Sequence, residues 1–285
     1  MRRILLFSGL FLGLGAVLAA FGIGVIGGGS AALAAQPEPW QWTFQPAATP
    51  VMENVTQFNN FLLYVVTIIT LFVFGLMGYT MWRFRASANP TPSKTSHNTL
   101  IEVVWTIIPI VILVVIAVPS FRLLSHVRAI PEAGITVKAV GYQWYWGYEY
   151  PDHGDFAFDS LMLEDGERGA QPRLLATDTA LVVPVDTNVR LLVTAADVIH
   201  SWAMPSFGVK MDAVPGKINE VWFRVNKTGT YYGQCSELCG IRHAFMPIRV
   251  DVVSQKKFKA WLKEAQREYG AAFPHTIKLA NIETK

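Results

Sequence analysis

Apolar residues along this chain follow two patterns. Up to about residue 125 they form long unbroken blocks, and from Ile135 onward they come in short runs broken by polar positions. The first block follows Met1-Arg2-Arg3, runs ILLFSGLFLGLGAVLAAFGIGVIGGG and ends among small residues at Ala31–Ala35. A charged start, an apolar centre and an A-x-A end are signal-peptide grammar, so residues 1–34 are predicted to be a leader, with Ala32 and Ala34 at the −3 and −1 positions. A third membrane helix competes with that reading, but eight glycines between Gly9 and Gly29 weaken a stable span. Residues 36–50, QPEPWQWTFQPAATP, are rich in Pro and Trp and predict an extended interfacial segment.

The second and third blocks predict a transmembrane hairpin. No charge occurs from Asn54 to Trp82, a run of 29 residues, where roughly 20 suffice to cross a bilayer. The expected span is about 58–82, with Tyr79 and Trp82 as interfacial aromatics. Val103 to Phe121 is also free of charge and predicts a second span at about 103–123. The connecting loop carries Arg83, Arg85 and Lys94 and no acid, which places it in the cytoplasm. Both outer ends of the hairpin then lie outside, as the leader independently requires. Glu102 stands at the cytoplasmic mouth of the second span. A carboxylate there is either functional or a cap that favours the helix N-terminus, and both readings stay open.

After Ile135 the runs ITVKAV, QWYWGYEY, ALVVPV, NVRLLVTA, NEVWFRV, GTYYGQ and MPIRVDVVS are β-branched or aromatic, with turn signals between them. They predict a β-sandwich over residues 131–254, outside the membrane, after a segment 35–130 that holds the hairpin. Residues 255–285 complete the chain as a helix and tail: Ser254 is the N-cap, Phe258, Trp261, Leu262 and Ala265 share a face, and Gly270 is the stop. The fold class expected is mixed membrane and all-β.

Composition agrees with a membrane-bound chain: 285 residues, 52% hydrophobic and 16% charged, with a mean hydropathy of +0.31. The net charge of +3 hides a segregation, because Gly141 to Ala180 carries eight acids against two arginines. That stretch is either a docking face for a basic partner or a solvated loop. No basic surface interleaved with aromatics suggests nucleic acid.

The chemistry gathers in Tyr231–Met246, YYGQCSELCGIRHAFM, which holds both cysteines of the chain. Thiolate, imidazole and thioether together favour copper. A blue-copper site needs one Cys, and this loop has one too many. Cys235 and Cys239 are instead placed to bridge two copper ions, with His243 on one, and His200 of DVIHSWAMP on the other. Met246 would be a weak axial ligand of one ion and the Glu237 carbonyl of the other. A disulfide is the competing reading for two cysteines outside the cytoplasm, but it requires neither His243 nor Met246. A closed, thiolate-rich site suits electron transfer rather than bond making.

The motif C-x3-C-x3-H-x2-M with an upstream DVIHSW resembles the binuclear copper-A domain of cytochrome c oxidase subunit II. The resemblance extends from about Phe58 to Ser254 through QWYWGYEY, DVIHSWAMPSFGVKMDAVPG and YYGQCSELCG. It implies a cupredoxin-like Greek-key sandwich in the periplasm of a bacterial plasma-membrane enzyme. It implies a dicopper centre on His200, Cys235, Glu237, Cys239, His243 and Met246, and a magnesium ion held by the Glu237 side chain at the subunit I interface. Trp144 would receive electrons from docked cytochrome c, Glu149, Asp152 and Asp159 would form the docking surface, and Glu102 would mark the mouth of a proton path. The implied partners are subunits I and III, cytochrome c and membrane lipid, and the implied role is electron delivery to haem for proton-coupled oxygen reduction. Two alternatives have different signatures: a quinol oxidase subunit II lacks the copper donors, and a copper-binding or assembly protein favours an open, exchangeable site.

Overall fold

The structure is a computed structural model, and it describes residues 35–91 and 93–270. The expected leader over 1–34 and the tail beyond Gly270 lie outside those residues. Among the described residues two long helices come first, α1 (Pro50–Arg83) and α2 (Thr99–Arg128), each long and apolar enough to cross a membrane. Their ends are set by local chemistry. The Thr49 hydroxyl accepts from the Met52 N–H at 3.0 Å, with Pro50 in the first helical turn where a missing N–H costs nothing. At α2 the Asn98 side chain accepts from Ile101 N–H, while the Asn98 N–H donates to Glu102 Oε1. Both helices overrun the apolar stretches seen in the sequence, because hydrogen bonding continues to the caps after hydrophobicity has ended. The extra turn of α1 is anchored: Val51 and Met52 are buried, and the Thr49 hydroxyl donates to the Phe207 carbonyl at 2.7 Å.

Beyond the hairpin lie ten strands: β1 (Ile135–Tyr142), β2 (Tyr145–Tyr150), β3 (Phe156–Ser160), β4 (Leu181–Pro184), β5 (Val189–Ala195), β6 (His200–Met204), β7 (Val209–Ala213), β8 (Asn219–Phe223), β9 (Gly229–Gln234) and β10 (Pro247–Val253). They form a five-stranded sheet ordered β3-β2-β1-β5-β8, a three-stranded sheet β4-β10-β9 and the pair β6-β7. β1 runs parallel to β5, and β4 runs parallel to β10. Ile135, Val137 and Ala139 of β1 face inward beside Leu191 and Val193 of β5, all buried. From β2, Trp146, Tyr148 and Tyr150 add large buried side chains, each worth about 1.5–3 kcal/mol or more in apolar burial. The Tyr150 hydroxyl donates to the Val182 carbonyl and accepts from the Val182 N–H, so it joins β2 to β4 without an unsatisfied polar atom. Helix α3 (Gln255–Tyr269) closes the core edge with Phe258, Ala265 and Trp261, whose ring packs on Tyr150 and Phe156.

Three strands go beyond the sequence reading: β3, β6 and β7. β6 opens His200-Ser201, two polar residues that suggest a loop, and β7 has an exposed face carrying Lys210 and Asp212. His200 is the first residue of β6. QWYWGYEY is not one strand either. Tyr142 pairs with Tyr145, which leaves Gln143-Trp144 as the tip of a β1–β2 hairpin.

Candidate metal centre

The cysteine motif is the connection between β9 and β10, whose arms close at the Gln234–Pro247 pair. Backbone bonds fold the connection back on itself: Cys235 N–H donates to the Met246 carbonyl at 3.0 Å, and His243 N–H to the Gly240 carbonyl at 3.1 Å. Ser236 N–H donates to the Ser201 carbonyl at 3.0 Å, which fastens the loop to β6 and so to His200. Loop and strand thereby bring together donors separated by 35 positions in sequence.

Cys235 and Cys239 are free thiols, and their sulfurs lie 3.9 Å apart. His200 Nδ1 lies 3.9 Å from Cys235 Sγ, and His243 Nδ1 lies 3.6 Å from Cys239 Sγ. Each sulfur therefore has an imidazole nitrogen beside it. The ligand atoms of His200, Cys235 and Cys239 all fall within 4.8 Å of one another. A metal–sulfur bond is about 2.3 Å, so one ion can reach both sulfurs. The Glu237 carbonyl stands 3.4 Å from Cys235 Sγ, while the Glu237 side chain is exposed. Met246 is wholly buried at the start of β10's approach. Soft donors packed this closely in a dry pocket fit copper.

The electrostatics agree with a cation there. Burial pushes the Cys235 thiol up, but hydrogen bonds from His200 and the neighbouring backbone prevail and hold it down at about 6. Burial and then the adjacent Cys235 charge drive Cys239 up to about 12. The pair thus accepts one negative charge readily and resists a second, and a bound cation is what would let both sulfurs ionise.

Asp197 is a residue the sequence reading missed. Its carboxylate accepts from His200 Nε2–H at 2.9 Å, Gln143 N–H at 2.7 Å and Val198 N–H at 2.6 Å. Burial raises its pKa, and these three donors outweigh burial and lower it. With Nε2 held by Asp197, the Nδ1 atom of His200 is left to face the sulfurs. The spacing D-x-x-H was the available signal. Gly141 makes room for this ring, since a β-carbon there would sit 2.7 Å from His200 Cδ2.

Trp144, at the hairpin tip, is half-buried and donates its indole N–H to the Cys239 carbonyl at 3.1 Å; Gln143 Nε2 donates to the same oxygen at 2.9 Å. The ring comes this close because Gly240 has φ +120° and no β-carbon, which would lie 3.1 Å from Trp144 Cζ2. Tyr142 and Tyr145 stack beside it with centroids 4.8 Å apart.

The remaining candidates lie elsewhere. Glu149 pairs with Lys138 at 3.0 Å, and Asp152 accepts from Thr136 N–H at 2.6 Å, so both carboxylates already have partners. Asp159, across from Gly147 on β3, has no such cation among the described residues, and burial followed by Asp178 raises its pKa. Glu102 is far from the metal loop in the fold, in the first turn of α2 with its capping bond.

Comparison with known proteins addresses both parts of the chain. Residues 37–123 match the family described as cytochrome c oxidase subunit II, transmembrane domain. Residues 135–253 match cytochrome c oxidase subunit II, periplasmic domain. A probable cytochrome c oxidase subunit 2 from Rickettsia bellii is 54% identical over 259 residues, covering 90% of this chain and 96% of its own. Cytochrome c oxidase subunit 2 from Cereibacter sphaeroides is 45% identical, covering 87% and 89%. A crystal structure of the periplasmic domain of cytochrome oxidase subunit II from Bradyrhizobium japonicum is 55% identical and covers 50% of this chain and 99% of that one, at TM-score 0.47. Hairpin, sandwich and copper-fitting loop now have a single explanation, for the chain belongs to the cytochrome c oxidase subunit II family.

Proposed function

We propose that this chain is the electron-receiving subunit of its oxidase, taking single electrons from reduced cytochrome c and delivering them toward haem in subunit I, where oxygen is reduced and protons are moved. The observation that carries this reading is the paired arrangement at the loop: two sulfurs 3.9 Å apart, each with its own imidazole Nδ1. Six positions would hold a dicopper centre: His200, Cys235, the Glu237 carbonyl, Cys239, His243 and Met246. Copper bound there supplies a one-electron acceptor whose ligands need to move little between oxidation states.

The protein's own contribution is positional. Asp197 fixes the His200 ring, and the β9–β10 connection keeps both sulfurs away from water. Trp144 links the outer face to the Cys239 backbone through one hydrogen bond, a short route for an electron arriving from outside. Of the acids, Asp159 is the strongest docking candidate, because among the described residues it pairs with no cation while Glu149 and Asp152 are already partnered within the chain. Leu238 and Ile241 are 77% and 88% exposed next to the centre, an apolar rim suited to subunit I. The exposed Glu237 carboxylate would reach a magnesium ion at that contact. Glu102 would admit protons from the cytoplasmic side.

The proposed layout is a leader at 1–34, the hairpin segment at 35–130, a periplasmic domain at 131–254 and a C-terminal region at 255–285, in a bacterial plasma membrane with subunits I and III. Stopped-flow mixing of the purified oxidase with reduced cytochrome c tests the reading. A Cys235→Ser variant that still assembles should lose its fast electron uptake; unaltered uptake would overturn the assignment.

A further inference from the structure

Below the sandwich, the outer ends of α1 and α2 line an open groove of about 570 Å³. Polar and apolar side chains divide its two walls differently. Descending α1 from the outer end, the lining changes from Asn54 and Gln57 to Phe58 and Phe61. Descending α2 the same way, it changes from His126 through Leu123 and Arg122 to Pro119. On each wall the outermost and deepest lining residues are seven positions apart in sequence, which at 1.5 Å per residue is roughly 10 Å of depth. That distance takes the groove from the headgroup layer into the first part of the hydrocarbon.

The polar groups of this groove have few partners within the chain. Among the described residues, Arg122 forms no ion pair, although other arginines of this chain do. Glu53, the acid nearest in sequence to Asn54, accepts from Asn226 Nδ2. The His126 ring is held edge-on against Trp222, whose indole N–H donates to the Val127 carbonyl at 3.2 Å, so the sandwich steadies the upper rim. Lower down, the Phe58 and Phe61 rings lie 6.3 Å apart and give an apolar floor. A guanidinium without a carboxylate at this depth favours an anion that arrives with its own hydrocarbon.

We propose that this groove is a phospholipid site of the outer leaflet, with the phosphate bonded to Arg122, headgroup oxygens meeting Asn54 and Gln57, and one acyl chain lying over Phe58 and Phe61. The polar-to-apolar order along α1, with the Arg122 guanidinium supplied by α2, matches that of a phospholipid, and an inorganic anion would leave the aromatic floor uncovered.

The test uses the whole oxidase complex, reconstituted in phosphatidylcholine vesicles carrying a minor share of phosphatidylglycerol with a photoactivatable acyl chain. Peptide mapping after illumination should place label on Phe58–Phe61 and Pro119–Leu123 well above other lipid-facing positions of the hairpin. Arg122→Gln should lower that labelling about tenfold, the scale of one charge-assisted phosphate contact, while Arg122→Lys should retain most of it. Should Arg122→Gln fail to assemble, competition on the unaltered complex gives the same decision: unlabelled phosphatidylglycerol should displace the label at far lower amounts than unlabelled diacylglycerol. Labelling spread evenly along the hairpin, unaffected by Arg122→Gln or displaced equally by both competitors, would overturn the proposal. So would crosslinking of the groove to a neighbouring subunit.

Discussion

Replacing Asp197 with Asn tests how the protein holds its metal ligand. The carboxylate accepts three N–H groups, from His200 Nε2 at 2.9 Å, Gln143 at 2.7 Å and Val198 at 2.6 Å. An asparagine has nearly the same shape but only one acceptor oxygen, so its NH2 must face either the His200 or the Gln143 donor. At least one bond to a charged group is lost and a donor is set against a donor. The loss of such a bond is worth about 1.5–3 kcal/mol, and removing the outer partner of a ligating histidine typically weakens metal binding about 10–100-fold. Copper retention by the purified oxidase, followed against increasing chelator, should therefore fall about 10–100-fold. Asp152→Asn is the control, because it also removes a carboxylate that accepts a backbone N–H, at 2.6 Å, yet it lies away from the metal loop. Equal copper retention in the two variants would refute the idea that Asp197 works through His200.

Trp144→Phe removes the indole N–H that reaches the Cys239 carbonyl; electron uptake from reduced cytochrome c should slow by about tenfold or more while copper content, measured by elemental analysis, stays the same. Gly240→Ala must place a β-carbon 3.1 Å from Trp144 Cζ2 at φ +120°, which costs about 1–3 kcal/mol and should show as a lower Tm together with slower uptake. Copper retention should weaken in acid: loading must release the Cys239 proton, the Cys235 proton below about 6, and the proton of His200, whose pKa burial lowers but hydrogen bonds to Cys235 and Asp197 raise on balance. Chelator competition should accordingly show affinity falling by about tenfold or more per pH unit near neutrality and more steeply below 6. Glu102→Gln keeps an acceptor for the Asn98 N–H and removes only the charge; proton uptake should slow with electron uptake unaltered, whereas a pure cap would leave both unchanged.

Much of this fold is written in local patterns. The hairpin follows from two runs without charge, and α3 from Ser254, a single apolar face and Gly270. The ligand loop was legible because soft donors at close spacing have few other uses. What stayed hidden depends on contacts between distant segments. β6 and β7 are made by pairing with each other, and nothing in His200-Ser201 announces a strand. Asp197 resembled any acid in a turn until β5 and β6 brought it against both a histidine and the β1–β2 tip. The hairpin position of Trp144 depends on the Tyr142–Tyr145 pair, a register that alternation inside QWYWGYEY cannot reveal. The acidic stretch shows a different limit, since composition counts charges but not the Lys138 that pairs with Glu149.

As proposed above, Cys235 and Cys239 would together hold two copper ions that share one electron. Electron paramagnetic resonance of the oxidised, purified oxidase tests it most directly. The paired arrangement of sulfurs and imidazoles predicts hyperfine structure from an unpaired electron distributed over both copper nuclei, lost together in Cys235→Ser and Cys239→Ser. Hyperfine structure from a single copper nucleus, or a signal that survives either substitution unchanged, would contradict it.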